Sequence, residues 1–570
     1  MKSPLSTVFA VALLAFASFA RGQSAPPDAP FKTPIVGLWL MGQSLCEGAE
    51  SLPIVSTTDS GWGNYAFRRG VRTWSQGNHG AQPELRAADQ FAFVPLTAAV
   101  NGALGETIAN GLADHLKATL PGVARSGPPH FLAAYAGQGG MTIAELSSAD
   151  ETTDPREPAI KRNGGGYYKT SLDDARRAVT EAKSQGQAFR IGALVWMQGE
   201  ANGGPHGGIV PSRWKDELPR PAGQEWYRDR LIAYRKEWSD DLRAITGQTG
   251  EIPLFTYQTL GAAGEAQLMA AEADPQIFMV GPHYMVPSAI NSRRNGTYGA
   301  AIHLSADGQR WFGEQVAKVV RRVLQDGEKW QPLRPHKAWI EASRESVVVE
   351  FTVPRPPLVL DESFLPREQS ELTKGFSSLD GFQIRGGTAG APPITAVEVA
   401  APNLLRIRLA SPLKPGASYT LSYGLAYAGK IGAIASTRDR TAANGQPMTE
   451  LVLDGLLPDR ARPLLDEGVF NIANMLSADA YAQAPVRSVS EENGHTVLAF
   501  ENRERRNNTD FAAGQTLTAL RPFLYGNLRD SDPEKAIYSF ADTAYGHRAG
   551  QPYPLWNWSV HYSGFPIAEP

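Results

Sequence analysis

The stretch "IVGLWLMGQS", Ile35 to Ser44, runs from seven uncharged, mostly bulky residues into a small polar cluster. An apolar run of this length, with no alternation, is what a strand covered on both faces looks like, because neither side has to meet water. Comparable runs recur as "FAFVPL" (91–96), "HFLAAYA" (130–136), "RIGALVWM" (190–197), "IPLFTYQ" (252–258) and "QIFMVG" (276–281). Between them lie segments of helical period, "TSLDDARRAVTEAKSQG" (170–186) and "EWYRDRLIAYRKEWSDDLRAIT" (225–246). A third, "SADGQRWFGEQVAKVVRRVLQ" (305–325), is amphipathic and opens on Ser305 as an N-cap. Strands alternating with helices predict an α/β fold, a three-layer, doubly wound parallel sheet, over residues 30–328.

After Lys329 the texture changes to Pro-rich turns between alternating segments. "SVVVEFTVP" puts Val347, Val349, Phe351 and Val353 on one face, and "LLRIRL" does the same with Leu405, Ile407 and Leu409. This predicts a β-sandwich-like accessory domain over 332–455. Residues 456–570 carry no assignable pattern and are expected either to pack on the catalytic domain or to complete the accessory one. Their aromatic tail "YPLWNWSVHYSG" (553–564) suits a domain interface, or stacking on sugar rings.

The chain has 570 residues, 42% of them hydrophobic, and a formal charge of −3. That charge gives no electrostatic reason to bind nucleic acid or an anionic membrane, and fits a neutral partner such as a glycan. Residues 1–22 have the layout of a signal peptide, with Lys2 before an apolar run from Val8 to Phe19 and small residues at Ala20 and Gly22. Export to the periplasm or beyond of a bacterial cell is therefore expected. A single cysteine, Cys46, excludes an internal disulfide. Oligomeric state is not readable from these residues.

In an open parallel sheet, sites form at the carboxyl ends of strands. Four small polar clusters occupy such positions: "GQS" ending at Ser44, "GQGG" from Gly137, "QGEAN" from Gln198, and "IHLSADG" holding His303 before the last helix. Ser44 and Cys46 are the candidate nucleophiles in the first. A serine hydroxyl needs a base; His303 fits best, and His283 in "VGPHYM" is the rival, otherwise a loop histidine near the substrate. None of the ten histidines has metal-ligand spacing and no phosphate loop is present, so no metal or other cofactor is expected.

The blocks "MGQS", "LGETIANG", "QGE" and "HLSADGQRWFGEQ" resemble those of the SGNH hydrolase superfamily, in its sialate O-acetylesterase-like and acetylxylan-esterase-like branch, over about Pro34 to Leu324. The added β region also resembles bacterial xyloglucan acetylesterases. The resemblance implies deacetylation of glycans without a metal, with Ser44 as nucleophile and His303 as base. It further implies an oxyanion hole made of the Ser44 and Gly105 N–H groups and the Gln198 side chain. Many members carry an aspartate three residues before the histidine, where this chain has Ala300. The related pattern offers Glu200 as the acid that orients His303, and a backbone carbonyl is the alternative. Gln43, Asn202 and His283 are substrate-binding candidates. The expected partner is an O-acetylated plant cell-wall polysaccharide, xyloglucan or xylan, with an acetylated sialoside as alternative. A glycan-binding protein on a hydrolase scaffold, or a lipid or thioester hydrolase, are readings of other kinds.

Overall fold

The computed structural model describes residues 30–570 apart from 73–86, 99–103, 149–165, 213–214, 290–292, 295–296, 299–301, 365–377, 388–389, 426, 444, 446, 458–470, 475–482, 487, 502–510, 522–525 and 542–547. The expected signal peptide, 1–22, and Ala300 lie outside the described residues.

The opening stretch forms β1 (Ile35–Gly42), every residue of it buried. It lies fourth in a seven-stranded sheet of order β3-β2-β4-β1-β5-β6-β7. Its companions are β2 (Tyr65–Phe67), β3 (Phe93–Pro95), β4 (His130–Gly137), β5 (Phe189–Met197), β6 (Leu254–Gln258) and β7 (Ile277–Pro282). Val36, Leu38 and Leu40 join a core on one face, while Ile35, Trp39 and Met41 join a separate core on the other. Each such side chain contributes about 1.5–3 kcal/mol by leaving water.

Helices α1 (Ala109–Thr119) and α5 (Ala306–Leu324) cover the first face. On the second lie α2 (Gly166–Ser184) and α3 (Arg220–Thr246), together with much of α4 (Gly261–Ala273). Gly111 and Gly313 let α1 and α5 cross at backbone contact, since a Cβ on either would collide with a carbonyl of the other helix. The parallel expectation holds for β2, β4, β1, β5, β6 and β7. It fails at β3, which pairs antiparallel with β2, making the sheet mixed. Pro95 suits that place, because an edge strand does not need the missing N–H. Tyr65–Phe67 has too few residues to show a strand pattern.

Beyond α5 come antiparallel sheets. Arg334–Ile340, Ser346–Thr352, Leu404–Leu409 and Ile394–Ala401 form one four-stranded sheet; Ser378–Leu379, Phe382–Gly386, Tyr419–Tyr423 and the final strand Tyr562–Ile567 form another. Val347, Val349, Leu405 and Ile407 from the first, with Ile384, Leu421 and Tyr423 from the second, belong to the same hydrophobic cluster as the α1–α5 face of the large sheet. The core therefore runs unbroken from the α/β part into the β part. Closure of the second sheet by residues 562–567 means that 332–455 is not a self-contained stretch of chain. A further seven-stranded antiparallel sheet is built from strands lying between Tyr427 and Arg521. No helix among the described residues is long and apolar enough to cross a membrane.

Candidate active site

The register of the sheet brings the sequence clusters together. Gly42 pairs with Gly137 on one side and with Met197 on the other, so "GQS", "GQGG" and "QGEAN" leave the sheet side by side. Gly42 and Gly137 are required there: a Cβ on Gly42 would collide with the Met197 carbonyl, and one on Gly137 with the Gly42 carbonyl.

From Gln43 to Glu50 the chain winds through consecutive turns, with Cys46 N–H donating to Gln43 O (2.9 Å) and Ala49 N–H to Ser44 O (3.0 Å). Ser44 is half-buried, whereas Cys46 is fully buried. Burial pushes the Cys46 thiol well above its ordinary range, with the charge of Glu47 adding to this. A buried, protonated thiol is not a nucleophile, which separates the two candidates.

Glu50 closes the turn with a φ of 62°, a left-handed conformation uncommon outside glycine. Its Oε2 accepts from His303 Nδ1 at 2.7 Å. The side chains are 27% and 17% exposed, so the pair is partly solvated. The segment carrying His303 is braced against the serine turn: Ser51 Oγ donates to Leu304 O (2.7 Å), and Gln309 Nε2, in the first turn of α5, donates to Leu45 O (2.7 Å). Ser305 caps α5 as expected, accepting from Gly308 N–H at 3.1 Å.

Glu200, the acid expected on His303, is turned elsewhere. Gly199, at φ 148°, starts a single 3-10 turn that aims Glu200 at the end of β6, where its Oε1 accepts from Tyr257 OH and from Thr259 Oγ1 (2.5 Å). Burial raises its carboxyl pKa against the pull of these bonds. The carboxylate on His303 comes from Glu50, six residues past the serine.

Gln198 is likewise committed inside the protein. Its Nε2 donates to Asn202 Oδ1 (2.7 Å), Met141 O (3.1 Å) and Gln43 Oε1 (3.3 Å), and its Oε1 accepts from Tyr227 OH (2.8 Å). An amide held on three acceptors is not available to an oxyanion. Asn202 is fully buried, with Oδ1 accepting from Ile143 N–H (3.0 Å) and Nδ2 donating to Val210 O (2.7 Å). It fastens the chain at Ile143 and Val210.

His283 is buried with Nδ1 on Gln258 O (3.3 Å) and its ring beside Tyr257. Burial lowers its pKa to about 4, which makes it a poor base near neutral pH. Gln43 differs from these. Its Oε1 accepts from Ala201 N–H (3.0 Å) and Gly199 N–H (3.4 Å) as well as from Gln198, which fixes the amide's orientation. Its nitrogen donates to no acceptor among the described residues.

Gly105, at φ 134°, bridges to Ser51 and is crowded by the Gly48 and Ser51 carbonyls, which seats it against the serine turn. The N–H groups of Ser44 and Gly105 donate to no acceptor among the described residues. Beneath the turn, Glu47 pairs with buried Arg72 (3.1 Å) and accepts from Gly139 N–H (3.2 Å), pinning the "GQGG" loop. Burial nevertheless raises the Glu47 carboxyl pKa, only partly opposed by Arg72.

No family model matches the sequence, nor does any curated protein. Among solved structures, a novel carbohydrate acetylesterase from Xanthomonas citri is similar at 16% identity, covering 69% of this chain and 75% of that one, with a TM-score of 0.41. NanS is similar at 15% identity over 53% of this chain and 100% of that one, with a TM-score of 0.33. At these values neither likeness fixes what this chain does.

Proposed function

We propose that the protein is an exported serine esterase that removes O-acetyl groups from a carbohydrate through an acetyl-enzyme. The observation that carries this reading is that one turn, Gln43–Glu50, holds both a half-exposed serine and the carboxylate bonded to His303 Nδ1. With Nδ1–H given to Glu50, the imidazole presents Nε2 as its basic nitrogen.

His303 Nε2 takes the Ser44 proton as Oγ attacks the acetyl carbonyl, and Glu50 stabilises the imidazolium that forms. Negative charge on the tetrahedral intermediate falls to the N–H groups of Ser44 and Gly105. The amide nitrogen of Gln43 serves as the side-chain donor in place of Gln198. His303 then returns the proton to the departing sugar hydroxyl. Water, deprotonated by the same nitrogen, releases acetate and restores Ser44.

The carbohydrate part of the reading rests on the sequence blocks, with xyloglucan or xylan ahead of sialosides. Acetate release should be measured on acetylated xyloglucan, xylan, pectin and sialosides and on an aryl acetate. Hydrolysis by the wild type and its loss in Ser44→Ala are expected. Polysaccharide binding without hydrolysis of any ester would replace this reading with a glycan-binding one.

A further inference from the structure

An amphipathic helix at a protein surface ordinarily turns its polar face to water, yet in α5 Asp307, Glu314, Gln315, Lys318 and Arg322 are all buried. Two stretches of the C-terminal segment, 528–541 and 548–558, cover that face, and they do so through directional bonds. In the first turn, Asp307 Oδ1 accepts from Tyr553 OH (2.6 Å) and Ala541 N–H (2.9 Å). Arg310 Nε donates to the same tyrosine oxygen (3.1 Å), while its Nη2 donates to Ser539 O (3.0 Å). Trp311 Nε1 donates to Pro554 O (2.8 Å), and Glu314 accepts from Ile537 N–H (2.7 Å) and Tyr538 N–H (3.0 Å). Lys318 closes the far end on Asp532 (3.2 Å) and Asn557 (2.7 Å).

Apolar contact alone lets a helix slide or rotate by small amounts; a row of buried hydrogen bonds does not. Displacement matters here because α5 starts three residues after His303, and a shift of about 1 Å in a reacting group can cost about 10²-fold in rate. We infer that the C-terminal segment positions the base, with Tyr553 and Asp307 as positioning residues that fix the first turn of α5 and thereby His303. This rests on the esterase reading for its effect on turnover. The Tyr553 ring also stacks on Trp311, so Tyr553→Phe keeps the packing and removes only the bridging hydroxyl.

The test is the full-length Tyr553→Phe protein, with Asp307→Asn as a second variant, assayed on an aryl acetate and by amide hydrogen exchange over residues 302–310. A fall in kcat of about tenfold with KM within about twofold is expected, together with faster exchange over 302–310 and unchanged exchange in α3. Lys318→Met, at the far end of the same interface, should lose stability without that fall in kcat. Unchanged kcat in both variants would overturn the inference, and so would loss of kcat with unchanged exchange. A wild type that releases no acetate would defeat the proposed function, and the inference would then stand or fall on the exchange result alone.

Discussion

Replacing Glu50 by glutamine removes the charge opposite the His303 imidazolium while keeping the side chain's volume. With Nδ1 and Oε2 2.7 Å apart, the charge centres are about 4 Å apart, which corresponds to roughly 4 kcal/mol at an effective dielectric of about 20. The side chains are 17% and 27% exposed, so water screens the pair. Halving the figure to about 2 kcal/mol predicts a loss of about 30-fold. Glutamine can also donate from its amide and hold the ring in the wrong tautomer, an effect that contributes to losses of about 10⁴ when the acid of a serine-protease triad becomes an amide. The two together predict a fall of about 10²- to 10³-fold in kcat/KM on an aryl acetate. Glu200→Gln, whose amide oxygen can still accept from Tyr257 and Thr259, should stay within about fivefold. Stopped assays on both variants, with their folding checked by circular dichroism, decide the matter. Near wild-type rates in Glu50→Gln alongside a collapse in Glu200→Gln would refute the assignment of the acid.

Gln43→Ala should lower kcat by about 10²-fold if its amide nitrogen meets the oxyanion, whereas Gln198→Ala should act mainly on the melting temperature, through its bonds to Asn202, Met141 and Tyr227. Lys318→Met leaves the buried Asp532 with one cation fewer and should lower unfolding stability by about 3 kcal/mol, read from a denaturant titration. Burial opposes ionisation of Asp532, but Lys318 and Arg322 overcome this and hold its pKa at about 2. A depressed carboxyl pKa contributes stability that is complete above the unfolded value of about 4 and is lost as pH falls toward 2. Burial raises the carboxyl pKa values of Glu106 and Glu200, so these groups take up protons on folding and weaken stability as pH rises above about 4. Asp532→Asn should therefore flatten the loss of melting temperature that the wild type shows as pH falls from about 4 toward 2.

The sheet was legible because a strand buried on both faces needs an unbroken apolar run, and β1, β4, β5, β6 and β7 each have one. β2, with three residues, has no room for a pattern, and Ala-rich α4 has too few large side chains to mark a face. The positions of Ser44, past the end of β1, and His303, ahead of α5, were readable from the strand and helix patterns around them. Glu50 was not, because its role depends on a left-handed turn that swings a carboxylate back onto a histidine 253 positions away, and nothing in the spacing of "SLCEGAE" reports that. The internal bonds of Gln198 were hidden for a related reason: a carboxamide after a strand reads the same whether its partners are internal or a substrate. What covers the polar face of α5 could not be read, since sequence period cannot distinguish water from a buried layer of backbone acceptors.

Everything in the proposed reaction turns on Ser44 as the nucleophile. Its most direct test is intact-protein mass spectrometry after reaction with an aryl fluorophosphonate and, separately, after rapid quench with an aryl acetate, followed by peptide mapping. One adduct per chain on the Ser44 peptide, absent in Ser44→Ala along with all acetate release, is the predicted result. Acetate release that persists in Ser44→Ala, or an adduct on any other residue, would contradict the account.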